Sequence, residues 1–125
     1  MRENELSEVV IGLAIKVHKA LGPGLLESAY QACLFYELTK EGFDVEKEKP
    51  LPLVYERVRL DCGYRVDLMV ENKLIIEIKA VQSLNDVHMA QILTYLKLTE
   101  CKLGLLLNFN EVLLKNGIKR VANKL

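Results

Sequence analysis

The segment Gly63–Ala80, GYRVDLMVENKLIIEIKA, leaves the chain few ways to fold. In its first half Val66, Leu68 and Val70 alternate with Arg65, Asp67 and Met69. A strand has a period of two, so Asp67 is expected to point away from a face shared by Val66 and Leu68. Glu71-Asn72 is a short polar turn, and the chain returns as Lys73–Ala80. On that return strand Leu74, Ile76 and Ile78 share one face, while Ile75, Glu77 and Lys79 share the other. Asp67, Glu77 and Lys79 are therefore expected on one side of a sheet whose strands are too apolar to be solvated.

Two carboxylates brought together repel, and burial raises their pKa values further. A hard divalent cation relieves both effects, because Mg²⁺ takes oxygen ligands from one or two carboxylates, water and phosphate. Such an ion also makes a nucleophile of water at neutral pH. Lys79 is placed to orient that water or to neutralise charge on a phosphate. A plain Glu77–Lys79 ion pair on a half-exposed strand fits this stretch equally well.

The remaining elements frame the hairpin. Glu5–Leu21 reads as a helix with Val9, Leu13, Ile15, Val17, Ala20 and Leu21 towards the core and His18 near a surface end. Gly22-Pro23-Gly24 ends it. A second helix, Leu25–Glu41, is expected to bury Leu26, Ala29, Tyr30, Cys33, Leu34 and Leu38. Glu27 falls in its first turn, where a carboxylate also suits the helix dipole, and Tyr30 follows one turn later. Asp44–Tyr55 is strand-like but broken by Pro50 and Pro52, which belong at an edge. Its Glu46, Lys47, Glu48 and Lys49 read as a solvated edge. Glu56-Arg57 turns the chain into Val58–Asp61. After Ser83–Asn85, either end of which could cap, Asp86–Thr99 reads as a helix with His88, Gln91 and Tyr95 on one stripe, either a polar rim or a substrate-facing surface. Cys101–Phe109 is a buried strand parallel to part of the sheet, and Ile118–Val121 is a last strand or short helix. Lys115, Lys119, Arg120 and Lys124 make the tail basic.

A chain of 125 residues suits one domain, 1–125. Lysines and arginines number 17, as do aspartates and glutamates, so any nucleic-acid binding must rest on a local patch. No apolar run approaches the roughly 20 residues of a membrane span, and the first residues are polar, so a cytoplasmic protein without membrane contact is expected. Cys33, Cys62 and Cys101 lack C-x-x-C spacing and read as inert thiols of a reducing compartment. No P-loop, G-x-S-x-G or zinc spacing occurs.

The order of these parts is informative: helices, a three-stranded meander with the acid on strand two and Glu77-Ile78-Lys79 on strand three, then a helix carrying Gln91 and Tyr95. It resembles the PD-(D/E)XK nuclease superfamily, with Val66-Asp67 in place of the proline-aspartate step. Gln91-x-x-x-Tyr95 looks like the extra motif of its RecB-like branch. Gly24-Leu25-Leu26-Glu27-Ser28-Ala29-Tyr30 is similar to the signature of the GxxExxY family, and the likeness extends along essentially the whole chain. The resemblance implies an α/β restriction-endonuclease-like core, with helices packed on a mixed sheet of antiparallel meander plus a further strand. It implies a Mg²⁺- or Mn²⁺-dependent phosphodiesterase acting on nucleic acid, with DNA ahead of RNA. Asp67, Glu77 and the Ile78 carbonyl would be metal ligands, with Glu27 joining directly or through water. Lys79 would serve the attacking water, Gln91 and Tyr95 the site or the nucleic-acid backbone, and Tyr30 would support Glu27. A catalytically silent or partner-dependent binding module on the same fold is the alternative, and assembly into a homo-oligomer is left open. A degenerate binder usually lacks the lysine or an acid, and none is missing here.

Overall fold

The computed structural model describes residues 1–125. Two helices, α1 (Glu3–Leu21) and α2 (Glu27–Lys40), precede strand β1 (Val45–Pro50). A small hairpin follows, β2 (Leu53–Tyr55) and β3 (Val58–Leu60), then β4 (Arg65–Val70), β5 (Leu74–Lys79), α3 (Asp86–Thr99) and β6 (Leu103–Asn108). A short 3₁₀ turn, Leu114–Gly117, leads into β7 (Ile118–Ala122). Five strands form one mixed sheet in the order β1-β4-β5-β6-β7; β2 and β3 pair only with each other. All neighbours are antiparallel except β5 and β6, which run parallel and are joined through α3. The fold is thus α/β, helices on a mixed sheet, with an antiparallel meander of β1, β4 and β5 followed by a helix and a further strand.

Alternation sorts the core into two layers. Leu74, Ile76 and Ile78 of β5 and Leu103, Leu105 and Leu107 of β6 pack with Leu6, Val10, Tyr30 and Leu34 under α1 and α2. Ile75 and Leu106 face the other way and pack with Ile92, Tyr95 and Leu96 of α3. Both faces of β5 and β6 are covered, which is why these strands read as nearly unbroken apolar runs.

Several local expectations give way. α1 fully buries Leu6, Val10, Ala14 and Val17; of the expected face only Val17 is fully buried, while Leu13 and Ile15 are partly buried against the core and Ala20 and Leu21 are exposed. The helix is apolar on most sides, so the sheet, not its own periodicity, chooses the face. His18 is buried; its Nε2 lies 2.8 Å from the Glu111 carbonyl and its ring packs beside Phe109. Leu26 is 77% exposed because it is the residue preceding α2, not part of its buried stripe. Asp44–Tyr55 does break at its prolines as expected: β1, an edge strand, ends at Pro50, and beyond Pro52 the chain pairs elsewhere as β2. Val66 and Leu68 do not share a core layer, since Val66 packs with the α3 cluster and Leu68 with the other.

Gly104 sets how closely α3 approaches the sheet. A Cβ there would lie 2.7 Å from Ile92 Cδ1 and 3.0 Å from its Cγ1. Alanine displaces only the end of a flexible side chain; valine does not fit. Gly104→Val is expected to cost about 1–3 kcal/mol in urea unfolding, with part of the loss recovered by adding Ile92→Ala.

Candidate active site

β4 and β5 form a regular ladder only as far as Leu68↔Ile76. Beyond that pair the strands part, and two carboxylates take over the missing backbone bonds. The Asp67 N–H donates to Glu77 Oε2 at 2.8 Å, and the Ile78 N–H donates to Asp67 Oδ2 at 2.8 Å. Each carboxylate gives one oxygen to the opposite strand and keeps its second, Asp67 Oδ1 and Glu77 Oε1. No side-chain N or O atom closed off from solvent is without a partner, so those second oxygens open outwards. The fork is also where β1 is irregular. Its pairing with β4 skips the Glu48/Asp67 position, and Glu48 has φ of 52°, a left-handed backbone that disrupts a ladder.

Burial and like charge act together here. Glu77 is 3% exposed. Desolvation, with the Asp67 charge second, pushes its carboxyl up to about 8, against the lowering effect of the Asp67 N–H and Lys79. Asp67 is raised as well, chiefly by burial and further by the charges of Glu48 and Glu27, while the Ile78 N–H and Lys79 oppose the rise. Lys79 Nζ is half-buried and donates to Gln91 Oε1 at 3.4 Å across the β5–α3 gap. Tyr95 lies one helical turn beyond Gln91; burial, with the Glu77 charge second, pushes its hydroxyl up to about 12. Ile78 points its side chain into the α1/α2 layer, so only its backbone is at the fork.

The fold therefore gathers Asp67, Glu77, Lys79, Gln91 and Tyr95 on the α3 side. Glu27, the first residue of α2, is exposed, and its charge is felt at Asp67. Tyr30 makes no side-chain hydrogen bond to Glu27. Its hydroxyl donates to the Gly22 carbonyl at 2.6 Å and accepts from the Leu25 N–H at 3.1 Å, while its ring stacks on Phe109 at 4.5 Å. It thereby fixes the Gly-Pro-Gly loop and the point at which α2 begins. His88 is drawn out of the Gln91/Tyr95 stripe: its Nδ1 accepts from the Asn85 N–H, and Asn85 Oδ1 accepts from the His88 N–H, a reciprocal cap.

Two residues were not singled out in the sequence. Glu48 flanks Asp67 in register, raises both carboxyls and accepts from Gln31 Nε2 at 3.0 Å. Asn108 is fully buried and binds both backbone groups of Val81, two residues beyond Lys79. Only long-range pairing brings either of them here.

The donor set suits a hard cation. Nowhere do three or more His, Cys, Asp or Glu side chains gather as a metal cluster. The fork instead offers two outward carboxylate oxygens beside the Ile78 backbone, a set Mg²⁺ accepts when water and phosphate complete it. A pair of acids whose carboxyls are pushed up by burial and by neighbouring negative charge is the electrostatic complement of such an ion.

A family model described as the PD-(D/E)XK nuclease superfamily matches residues 4–121. No curated protein and no solved structure gives a significant match. No helix is long and apolar enough to cross a membrane.

Proposed function

Because the chain belongs to the PD-(D/E)XK nuclease superfamily, we propose that it hydrolyses phosphodiester bonds in nucleic acid, DNA foremost, at the β4/β5 fork with Mg²⁺ or Mn²⁺. The observation that carries this reading is the Asp67–Glu77 pair: a half-buried and a buried acid, cross-linked through backbone N–H groups, each with a second oxygen free of those bonds and not closed off from solvent. A bound divalent ion supplies Lewis-acid activation of water and of the phosphate. Asp67, Glu77 and the Ile78 carbonyl hold it, with Glu27 a further acid at the rim. Lys79, kept in place by Gln91, orients the attacking water and offsets negative charge on the phosphoryl oxygens. Tyr95, protonated at any neutral pH, donates to the nucleic-acid backbone. Tyr30 acts from behind, by fixing the start of α2 and so the position of Glu27. On this reading the Gly24–Tyr30 segment assigns the chain to the GxxExxY family, and Gln91 with Tyr95 to a RecB-like branch.

The test is cleavage of labelled single- and double-stranded DNA and RNA during a Mn²⁺ or Mg²⁺ titration, followed in wild type and Lys79→Met. Turnover is expected to fall about 100-fold or more in Lys79→Met while the metal midpoint moves little. Equal loss of metal affinity and turnover would make Lys79 a structural partner of the acids instead. A catalytically silent binding module on the same fold is the second reading. It predicts metal or nucleic-acid binding without cleavage in any sample.

A further inference from the structure

The β2–β3 hairpin leaves the sheet between Leu51 and Tyr64, whose backbone bond (2.9 Å) closes its neck. Its register, Leu53↔Leu60 and Tyr55↔Val58, puts these four side chains on one face and Val54 with Arg59 on the other. Nothing covers the outer part of the apolar face: Tyr55 is 67% exposed and Val58 is 53% exposed. A two-stranded hairpin is marginal by itself, and an uncovered apolar face makes it more so. At the hairpin's base a cavity of about 230 Å³ opens against α3, lined by Leu53, Tyr64, Gln91, Thr94, Tyr95 and Leu98. It shares Gln91 and Tyr95 with the site above, and Gln91 is the residue bonded to Lys79.

The chemistry of these walls is selective. Tyr64 and Tyr95 meet edge to face, with ring centroids 6.3 Å apart and an interplanar angle of 61°. One ring can therefore stack on a planar guest while the other meets its edge. Leu53 and Leu98 close the sides. Gln91, with Oε1 turned to Lys79, keeps its Nε2 donor for an acceptor on the guest. The volume lies below the roughly 300 Å³ at which drug-sized sites begin, and so matches a single ring system. Three of the chain's five arginines, Arg57, Arg59 and Arg65, and three of its five tyrosines, Tyr55, Tyr64 and Tyr95, belong to this region. Stacking aromatics interleaved with guanidinium groups are what single-stranded nucleic acid selects.

We infer that the hairpin and the Tyr64/Tyr95 cavity form a single-strand binding site that takes one unpaired base beside the scissile phosphate, with the exposed arginines on the flanking phosphates. The inference rests on the nuclease reading and narrows its substrate. A base in a duplex is stacked and paired and cannot enter such a cavity without being flipped out. Single strands, or ends that fray into single strands, are accordingly the substrate class.

The test uses the full chain with the metal chelated. Fluorescence anisotropy follows a labelled single strand, its RNA counterpart and the duplex, and the emission of a strand carrying one 2-aminopurine is recorded alongside. Wild type is expected to bind the single strands more tightly than the duplex. Tyr64→Ala should weaken single-strand binding about 10-fold and remove the 2-aminopurine change, with Tyr64→Phe restoring both. Arg57→Ala with Arg59→Ala, both on the solvent side, should weaken binding of every sequence alike and lower the salt slope by about 1.4. Metal-dependent cleavage is assayed in parallel. Cleavage by wild type with single-strand binding unchanged in all these variants overturns the inference and leaves the nuclease reading standing. No binding and no cleavage by wild type on any nucleic acid overturns both. Unchanged nucleic-acid binding with loss of a dimer in Tyr55→Ala, read by sedimentation, gives the face to a second copy and also overturns the inference.

Discussion

Glu77→Gln is expected to lower metal-dependent cleavage by about 1,000-fold or more while making the metal-free protein more stable at pH 8. The first effect follows from losing an anionic ligand. Metal-borne charge stabilisation is worth several kcal/mol, and each 1.36 kcal/mol is tenfold in rate. The second follows from linkage. Folding raises the Glu77 carboxyl from 4.5 to about 8, first by burial and then through Asp67. The folded state therefore holds a proton that the unfolded chain releases. Its contribution to stability is complete below about pH 4.5 and is lost as pH rises towards and through 8. In that window the one-proton slope approaches about 1.4 kcal/mol per pH unit. Glutamine is an isosteric copy of the protonated acid and can still accept from the Asp67 N–H. The difference between wild-type and Glu77→Gln unfolding curves, taken at pH 5, 6, 7 and 8 in chelator, should therefore widen with pH in favour of the variant. Added Mn²⁺ at pH 8 should stabilise wild type alone. If wild type instead gains on the variant as pH rises, the carboxylate is satisfied by Lys79 and the ion-pair account of this strand is right.

The same residues explain why the acids could be found in the sequence and much around them could not. Asp67, Glu77 and Lys79 fall at fixed parity on strands flanked by unbroken apolar positions, so a period of two is enough to put them on one face. Asp86–Thr99 was equally legible, because Asn85 gives a local start signal that the His88 bonds realise. The parallel placement of β6 followed from an apolar run that only a doubly covered strand tolerates. Local rules fail where two elements must agree. α1 has apolar groups around most of its circumference, so which of them is buried depends on where β5 and β6 lie. His18 looked like a surface cation and is a buried acceptor-bound ring, since an imidazole serves either environment. The alternation of Val66 with Leu68 breaks at Asp67 because the strand turns there from its β5 partner to its side-chain bonds. Glu48 sat in a run of alternating charges that normally marks solvent. Its nearness to Asp67 is a fact of β1–β4 register, and its left-handed backbone has no signature in Glu-Lys-Glu-Lys.

Asn108→Ala should destabilise the protein by about 3 kcal/mol and disturb the fork without touching any residue placed at the metal. The side chain is inaccessible to solvent at the end of β6. Its Oδ1 accepts from the Val81 N–H at 3.1 Å and the Asn110 N–H at 3.2 Å, and its Nδ2 donates to the Val81 carbonyl at 2.9 Å. Removing it leaves three backbone groups short of a partner, each costing about 1–3 kcal/mol where water cannot replace it. Partial rehydration at the loop keeps the sum near the lower end. A loss of that size moves the midpoint of a 125-residue chain by about 10 °C. The functional consequence follows from position. Val81 begins the passage from β5 to α3, and Phe109 N–H holds the Lys79 carbonyl at 2.9 Å. Asn108 and its neighbour thus pin the strand end that carries Lys79 against the helix that carries Gln91. With one clamp gone, the 3.4 Å Lys79–Gln91 contact loses its fixed geometry. Turnover should fall about 10-fold while the metal midpoint holds, because Asp67 and Glu77 are tied to each other through β4 and β5. Asn108→Asp separates the two roles of the amide: it keeps both acceptor bonds but replaces the donor to Val81 with a buried carboxylate oxygen facing that carbonyl. At neutral pH its stability is expected at or below that of alanine, because an unpaired charge is buried, while its turnover lies above that of alanine. Turnover that tracks stability across all three proteins would make Asn108 a support of the fold alone.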